Sequence, residues 1–133
     1  LCINDSKATS FDACLQSLLN NNKIYWIVGG LPKYQDHFDL KKVKKRIVKA
    51  YIVGKNTTFF KKKIRKNVKY IISKNIKNAV NDIKKDLKLN KESKNTILLS
   101  PAAASFDQFS NFESRGFYFK NLIAKNFKQR LNV

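Results

Sequence analysis

The sequence predicts an α/β domain, a Rossmann-like and mostly parallel sheet flanked by helices. Three observations carry that expectation. Short β-branched or aromatic runs recur along the chain, and helical patterns separate them. The runs are continuously apolar rather than alternating, as in strands buried on both faces. The length of 133 residues suits one domain, and a hydrophobic content of 43% is enough for a packed core and argues against global disorder.

The elements follow in order. Leu1 to Ile3 reads as a strand stub. Phe11, Cys14, Leu15, Leu18 and Leu19 then fall on one helical stripe. Ile24 to Val28 is an unbroken apolar run closed by Gly29-Gly30, the second strand. Leu40, Val43 and Ile47 form a stripe ringed by lysines, which predicts a second helix. Tyr51 to Val53, ended by Gly54, is the third strand, and residues 57–66 form a short helix resting on Phe60 and Ile64. Val68 to Ile72 is the fourth strand, and Ile76, Ala79, Val80, Ile83 and Leu87 mark a longer amphipathic helix. Ile97 to Leu99, ended by Ser100-Pro101, is the fifth strand, and a closing helix runs through Phe119, Leu122, Ile123 and Phe127. No internal repeat or Pro/Gly-rich linker interrupts the pattern, so residues 1–133 are expected to form a single domain. The sequence contains no Met, which fits either a processed first residue or a piece of a longer chain.

Charge is uneven. There are 28 Lys+Arg against 9 Asp+Glu, a formal net of +19. Residues 41–95 hold 20 basic and 3 acidic residues, so the remainder is close to neutral. Such a balance raises polyanions as partners. Only four of the basic residues are Arg, however, and most lysines take the polar positions of amphipathic helices, where solvated charge is ordinary. The expectation is therefore no nucleic-acid partner, with a basic binding module for nucleic acid or an anionic surface as the alternative. No apolar run approaches the ~18 residues that span a bilayer, so no membrane insertion is expected. No signal-peptide pattern opens the chain, and Cys2 and Cys14 make neither a C-x-x-C nor a disulfide framework, which suits a cytoplasmic protein.

In open α/β sheets ligands bind beyond the carboxyl ends of the strands. Three of these ends are polar here. After the first strand comes Asn4-Asp5-Ser6-Lys7-Ala8-Thr9-Ser10, where Thr9 with Asp12 also fits a T-x-x-D capping box. After the second comes Gly29-Gly30-Leu31-Pro32-Lys33, a stiffened turn that holds an ammonium near the strand end. After the fifth comes Ser100 to Gln108, then Asn111-Phe112-Glu113 and Arg115-Gly116. Ser105 with Gln108 fits an S-x-x-Q capping box, which predicts a helix N-terminus suited to a carboxylate or phosphate. The lone His37 suggests a solvated or structural role, and Tyr25 and Trp26 read as strand core. Arg115 and Gly116 have no role legible from spacing.

The run ILLSPAAASFDQFSNFESRG, Ile97 to Gly116, resembles the C-terminal signature of the Mur ligase family, in the branch that adds D-glutamate during peptidoglycan synthesis. NDSKAT (Asn4 to Thr9) and IVGGLPK (Ile27 to Lys33) resemble two further motifs of that domain, in the same order. The resemblance implies the C-terminal domain of an ATP-dependent acid–D-amino-acid ligase acting in cell-wall biogenesis, cell shape and cell division in a bacterial cytoplasm. It implies D-glutamate contacts at Thr9, Lys33, Ser105, Phe106 and Phe112, the last two through backbone N–H, and ATP contacts at Asp5 and Lys7. UDP-N-acetylmuramoyl-L-alanine and most magnesium ligands would belong to the N-terminal and central domains, which lie outside these 133 residues. No G-x-x-x-x-G-K-[ST] loop occurs in the chain, so no catalytic or metal-binding residue is expected here and the isolated domain is expected to be inactive. Sister Mur ligases and folylpolyglutamate synthetases share the fold and are the nearest alternatives.

Overall fold

A computed structural model describes residues 1–90, 93–106 and 108–127. The strands are β1 (Cys2–Asn4), β2 (Ile24–Val28), β3 (Ile47–Val53), β4 (Tyr70–Lys74) and β5 (Thr96–Leu99). The helices are α1 (Phe11–Leu19), α2 (Thr57–Ile64), α3 (Ile76–Leu89) and α4 (Phe112–Asn126), with a 3-10 turn at Lys44–Arg46. The strands form one sheet in the order β1-β5-β2-β3-β4, and every strand pairing is parallel. The expected Rossmann-like α/β sandwich is what forms.

Strand alternation sends side chains to two cores. Trp26, Val28, Ala50, Ile52 and Leu98 pack with Phe11, Cys14 and Leu18 of α1 and with Phe60 and Ile64 of α2. Tyr25, Ile27, Tyr51, Val53, Ile97 and Leu99 pack on the other face with the stripe Ile76, Ala79, Val80, Ile83, Leu87 of α3 and with Phe119 and Ile123 of α4. All five residues of β2 are buried, which is why that strand carries no polar residue. On the second face α3 is pinned by hydrogen bonds as well. Tyr51 Oη donates to Asp86 Oδ2 at 2.6 Å, Lys49 Nζ reaches the same oxygen at 3.0 Å, and Ser73 Oγ donates to Asp82 at 2.8 Å.

Local expectations needed correction in four places. The stripe at Leu40, Val43 and Ile47 is not a helix. Leu40 and Val43 plug the first core from a loop, a single 3-10 turn follows, and Ile47 begins β3, whose seven residues extend four positions earlier than the Tyr51-led run. β4 runs two residues later than expected and is half-exposed along much of its length, because it forms the edge of the sheet. Thr9 does not cap α1; Ser10 does, its hydroxyl accepting from Ala13 N at 3.3 Å. Ser105 and Gln108 do not open a helix either. Ser105 O accepts from Gln108 N and Phe109 N in a single turn, and the closing helix starts at Phe112 behind Asn111, whose side chain accepts from Ser114 N at 2.8 Å. Asp107, between those two partners of the expected box, lies outside the described residues.

Candidate functional site

The strand order decides where the polar loops meet. β5 lies between β1 and β2, so the three polar strand ends are neighbours. The chain after β1 enters α1 on the first face, whereas the chain after β5 enters α4 on the second. Adjacent strands whose connections leave to opposite faces open a crevice between them, the ordinary ligand position in such sheets.

The floor of this crevice is a hydrogen-bonded knot. Asp5 is buried, and its Oδ2 accepts from Ser17 Oγ of α1 and from Ser100 Oγ after β5, both at 2.8 Å. Trp26 Nε1 of β2 donates to Ser100 O at 2.7 Å. Asp5, Ser100 and Trp26 are buried, so their bonds avoid the cost of about 1–3 kcal/mol for an unmet buried group. Cys14 lies beneath Ser100, and burial pushes its thiol well above the ordinary range, keeping it neutral and unreactive.

Above the floor the loops are tied in pairs. The loop after β2 reaches the loop after β1 through Asp36, whose carboxylate accepts from Phe11 N at 2.7 Å, in the first turn of α1. A carboxylate there also complements the helix dipole. The loop after β2 meets the loop after β5 in an antiparallel bridge, Leu31 N to Ala104 O and Ala104 N to Leu31 O, both 2.9 Å. The third tie joins the loop after β1 to α4. Arg115, buried, donates from Nε to Ser6 Oγ (2.9 Å) and from Nη2 to Ser6 O (2.6 Å), while Ser6 Oγ donates to Phe112 O (2.6 Å).

Glycines stand at two of the closest approaches. At Gly30, with φ of +141°, a Cβ would stand 2.6 Å from Ala104 O. At Gly116 a Cβ would stand 2.7 Å from Asn4 Nδ2, so a larger residue there would have to turn the Asn4 side chain aside for α4 to lie against the end of β1. Arg115 and Gly116 therefore have structural reasons that spacing did not show.

The expected site residues distribute as follows. Thr9, half-buried, and Lys33, exposed, stand on two tied loops; Ser105, buried, stands on the third, one residue past the Ala104 bridge. The Phe106 side chain is 70% exposed, so any contact it makes in the crevice falls to its backbone. Phe112 is the first residue of α4, where its N–H has no acceptor within the helix. Lys7, exposed, lines a cleft of about 240 Å³ with Asn4, Ser6, Phe112, Glu113, Phe117 and Lys120. Asp5 points into the floor rather than outward, with one oxygen committed to two hydroxyls. Sequence reading passed over Ser6, Asp36, Ser100 and Arg115 as site-builders. The one available signal was that all four lie within or beside the polar strand-end runs. Among the described residues no three His, Cys, Asp or Glu side chains gather to hold a metal ion, and no helix is long and apolar enough to cross a membrane.

The described residues form a parallel α/β domain whose three polar strand ends are neighbours at one end of the sheet. Known proteins narrow the class. The chain is similar to UDP-N-acetylmuramoylalanine–D-glutamate ligases, with 41% identity over 122 residues to that of Agrobacterium fabrum and 42% over 123 residues to that of Chelativorans sp.. The ligase of Rhodopseudomonas palustris is 41% identical over 123 residues. Each alignment covers 92% of this chain and 26% of the ligase, so the chain spans about a quarter of the length of the curated relatives it matches, namely their C-terminal quarter. No family model matches the chain.

Proposed function

We propose that this chain is the amino-acid-holding and nucleotide-contacting domain of an ATP-dependent UDP-N-acetylmuramoylalanine–D-glutamate ligase. The observation that carries the reading is the pairwise tying of the three strand-end loops, Asp36 to Phe11, Leu31 to Ala104 and Ser6 to Arg115. These ties fix the loops that carry Thr9, Lys33 and Ser105 beside one another at the carboxyl ends of β1, β2 and β5, which supports their sharing one ligand. A small dicarboxylate suits them. The Lys33 ammonium and the hydroxyls of Thr9 and Ser105 would take its carboxylates, and the N–H groups of Phe106 and Phe112 would complete the cradle.

ATP would lie toward Lys7, with a ribose hydroxyl meeting the Asp5 oxygen that does not serve Ser17 and Ser100. Its chemistry is activation of the terminal carboxylate of UDP-N-acetylmuramoyl-L-alanine as an acyl phosphate. The amino group of D-glutamate then attacks that carbonyl, the amide forms, and phosphate leaves. This chain's part is orientation and charge neutralisation rather than proton transfer. Magnesium and the phosphate-binding loop would come from a central domain in a bacterial cytoplasmic enzyme, so the 133-residue chain by itself forms no amide.

The test is a titration of D-glutamate into the isotope-labelled chain, read by backbone amide shifts. Amides of Thr9, Lys33, Phe106 and Phe112 should move along one saturating curve. L-glutamate should do less, and Lys33→Ala should weaken the curve about tenfold. Equal response to the two enantiomers, or shifts elsewhere only, would refute the assignment. Detectable acyl-phosphate formation by the chain alone would refute its inactivity.

A further inference from the structure

Residues 54–81, which make α2, β4 and the start of α3, hold nine Lys or Arg and no Asp or Glu. β4 is the sheet edge, so this flank carries a local surplus of positive charge. One cleft opens in it, of about 440 Å³, lined by Tyr34, Lys55, Asn56, Thr58, Phe59 and Lys62. It lies past the ends of β2 and β3. None of these six lines the cleft beside Lys7 and Phe112, and none is among the residues assigned above to D-glutamate or ATP.

One wall is aromatic and firmly built. Tyr34 and Phe59 meet edge to face at 5.5 Å, and Phe59 in turn abuts Phe60 at 5.0 Å and Phe38 at 6.1 Å, both in the core. Asn56 locks the wall in place, its Nδ2 donating to Gly30 O at 3.0 Å and its Oδ1 accepting from Tyr34 Oη at 3.3 Å. Yet Tyr34 remains 67% exposed, an aromatic ring in water beside a cleft. Lys55 and Lys62 supply two ammonium groups, exposed and with no carboxylate among the lining residues. An inorganic anion would pair with the lysines and leave the rings wet. A neutral aromatic would cover the rings and leave the two ammonium groups without a counter-charge. A molecule with both parts satisfies both walls, and the volume lies in the range of small-ligand sites.

We propose that this cleft binds a nucleoside phosphate, its base against Tyr34 and Phe59 and its phosphate between Lys55 and Lys62. It is a second site, distinct from the nucleotide position beside Asp5 and Lys7.

The experiment titrates adenosine 5′-monophosphate, adenosine and inorganic phosphate into the 133-residue chain by calorimetry, with amide shifts to locate each. A Lys7→Ala background separates this site from the crevice. In the Lys7→Ala chain the monophosphate should still perturb Tyr34, Thr58 and Phe59, with the same midpoint that those amides report in wild type, whatever happens to the shifts around Lys7. Lys62→Ala, Lys55→Gln and Tyr34→Ala should each weaken it by about fivefold or more. Adenosine and phosphate should each bind about tenfold more weakly than the monophosphate. All three side chains are exposed, so unchanged melting temperatures confirm folded variants. The proposal is overturned by binding that Lys7→Ala abolishes, by binding indifferent to Lys62→Ala and Tyr34→Ala, or by phosphate alone binding as tightly as the nucleotide.

Discussion

Replacing Ser6 by alanine removes one oxygen from the junction between the loop after β1 and the start of α4. That oxygen accepts from Arg115 Nε at 2.9 Å and donates to Phe112 O at 2.6 Å. Ser6 and Arg115 are 4% and 2% exposed, so water does not readily replace the lost acceptor. Leaving a buried charged donor unmet costs about 1–3 kcal/mol, while the Phe112 carbonyl, on a half-exposed residue, regains a water and adds about 0.5 kcal/mol. The Nη2 bond to Ser6 O is to backbone and survives the substitution. The expected loss is about 1.5–3.5 kcal/mol. With an unfolding entropy of about 2.1 cal/mol/K per residue over 133 residues, the melting temperature should fall by about 5–13 °C. Urea unfolding and thermal melts by circular dichroism measure both. Ser110→Ala is the control, since its exposed hydroxyl stands 3.3 Å from Ser114 Oγ and its removal should cost under about 0.5 kcal/mol. If Ser6→Ala behaves like the control, the junction is not the tie described above. A change confined to stability, with the Phe112 amide unmoved, would sink the idea that Ser6 sets the position of the α4 start.

Two further outcomes follow from the same contacts. Gly30→Ala forces a Cβ to within 2.6 Å of Ala104 O at a φ of +141°, so it should cost about 2 kcal/mol or more, move the Leu31 and Ala104 amides and weaken the D-glutamate response; wild-type stability would refute the close-approach argument. Burial works to raise the Asp86 carboxyl, but the Tyr51 hydroxyl and the Lys49 ammonium outweigh it and hold the group below its ordinary value, whereas burial and Asp86 push Tyr51 up. Asp86 therefore adds stability above the unfolded carboxylate range, near pH 4, and loses it as pH falls through the lower folded value. Tyr51 adds stability below its unfolded value of about 10 and loses it in more alkaline solution. Asp86→Asn should cost about 1–2 kcal/mol at pH 7, with the gap to wild type closing below pH 4; a gap independent of pH would refute the charged pairing.

Much of this molecule was legible in one dimension because apolar periodicity reports burial directly. The buried faces of α1 and α3 and the unbroken run of β2 follow from that rule. It failed at Leu40, Val43 and Ile47, which are buried at helical spacing without being helical, because a loop folded over a core buries residues at any spacing. It failed again at the helix starts. Thr9 and Ser105 have the acidic or amide residue three positions on that Ser10 and Asn111 lack, yet Ser10 and Asn111 are the caps, because the path of the chain decides which hydroxyl or amide faces the first turn.

The sequence by itself determined the fold class, the order of the five strands and of every helix but the one expected at Leu40 to Ile47, and the polar character of three strand ends, since these depend on local spacing and composition. Only the tertiary structure decided that β5 enters between β1 and β2, which makes those three ends neighbours although up to about ninety residues separate them in the chain. It also decided the roles of Asp36, Ser6, Arg115 and Gly116. Their partners are 25, 106, 109 and 112 positions away, and a hydrogen bond or a steric limit between such residues exists only once the sheet has ordered its strands. The same holds for the basic surplus. Composition measures its size, but it takes the β4 edge and the Tyr34–Phe59 wall to turn a run of solvated lysines into a cleft with two ammonium groups and an aromatic side.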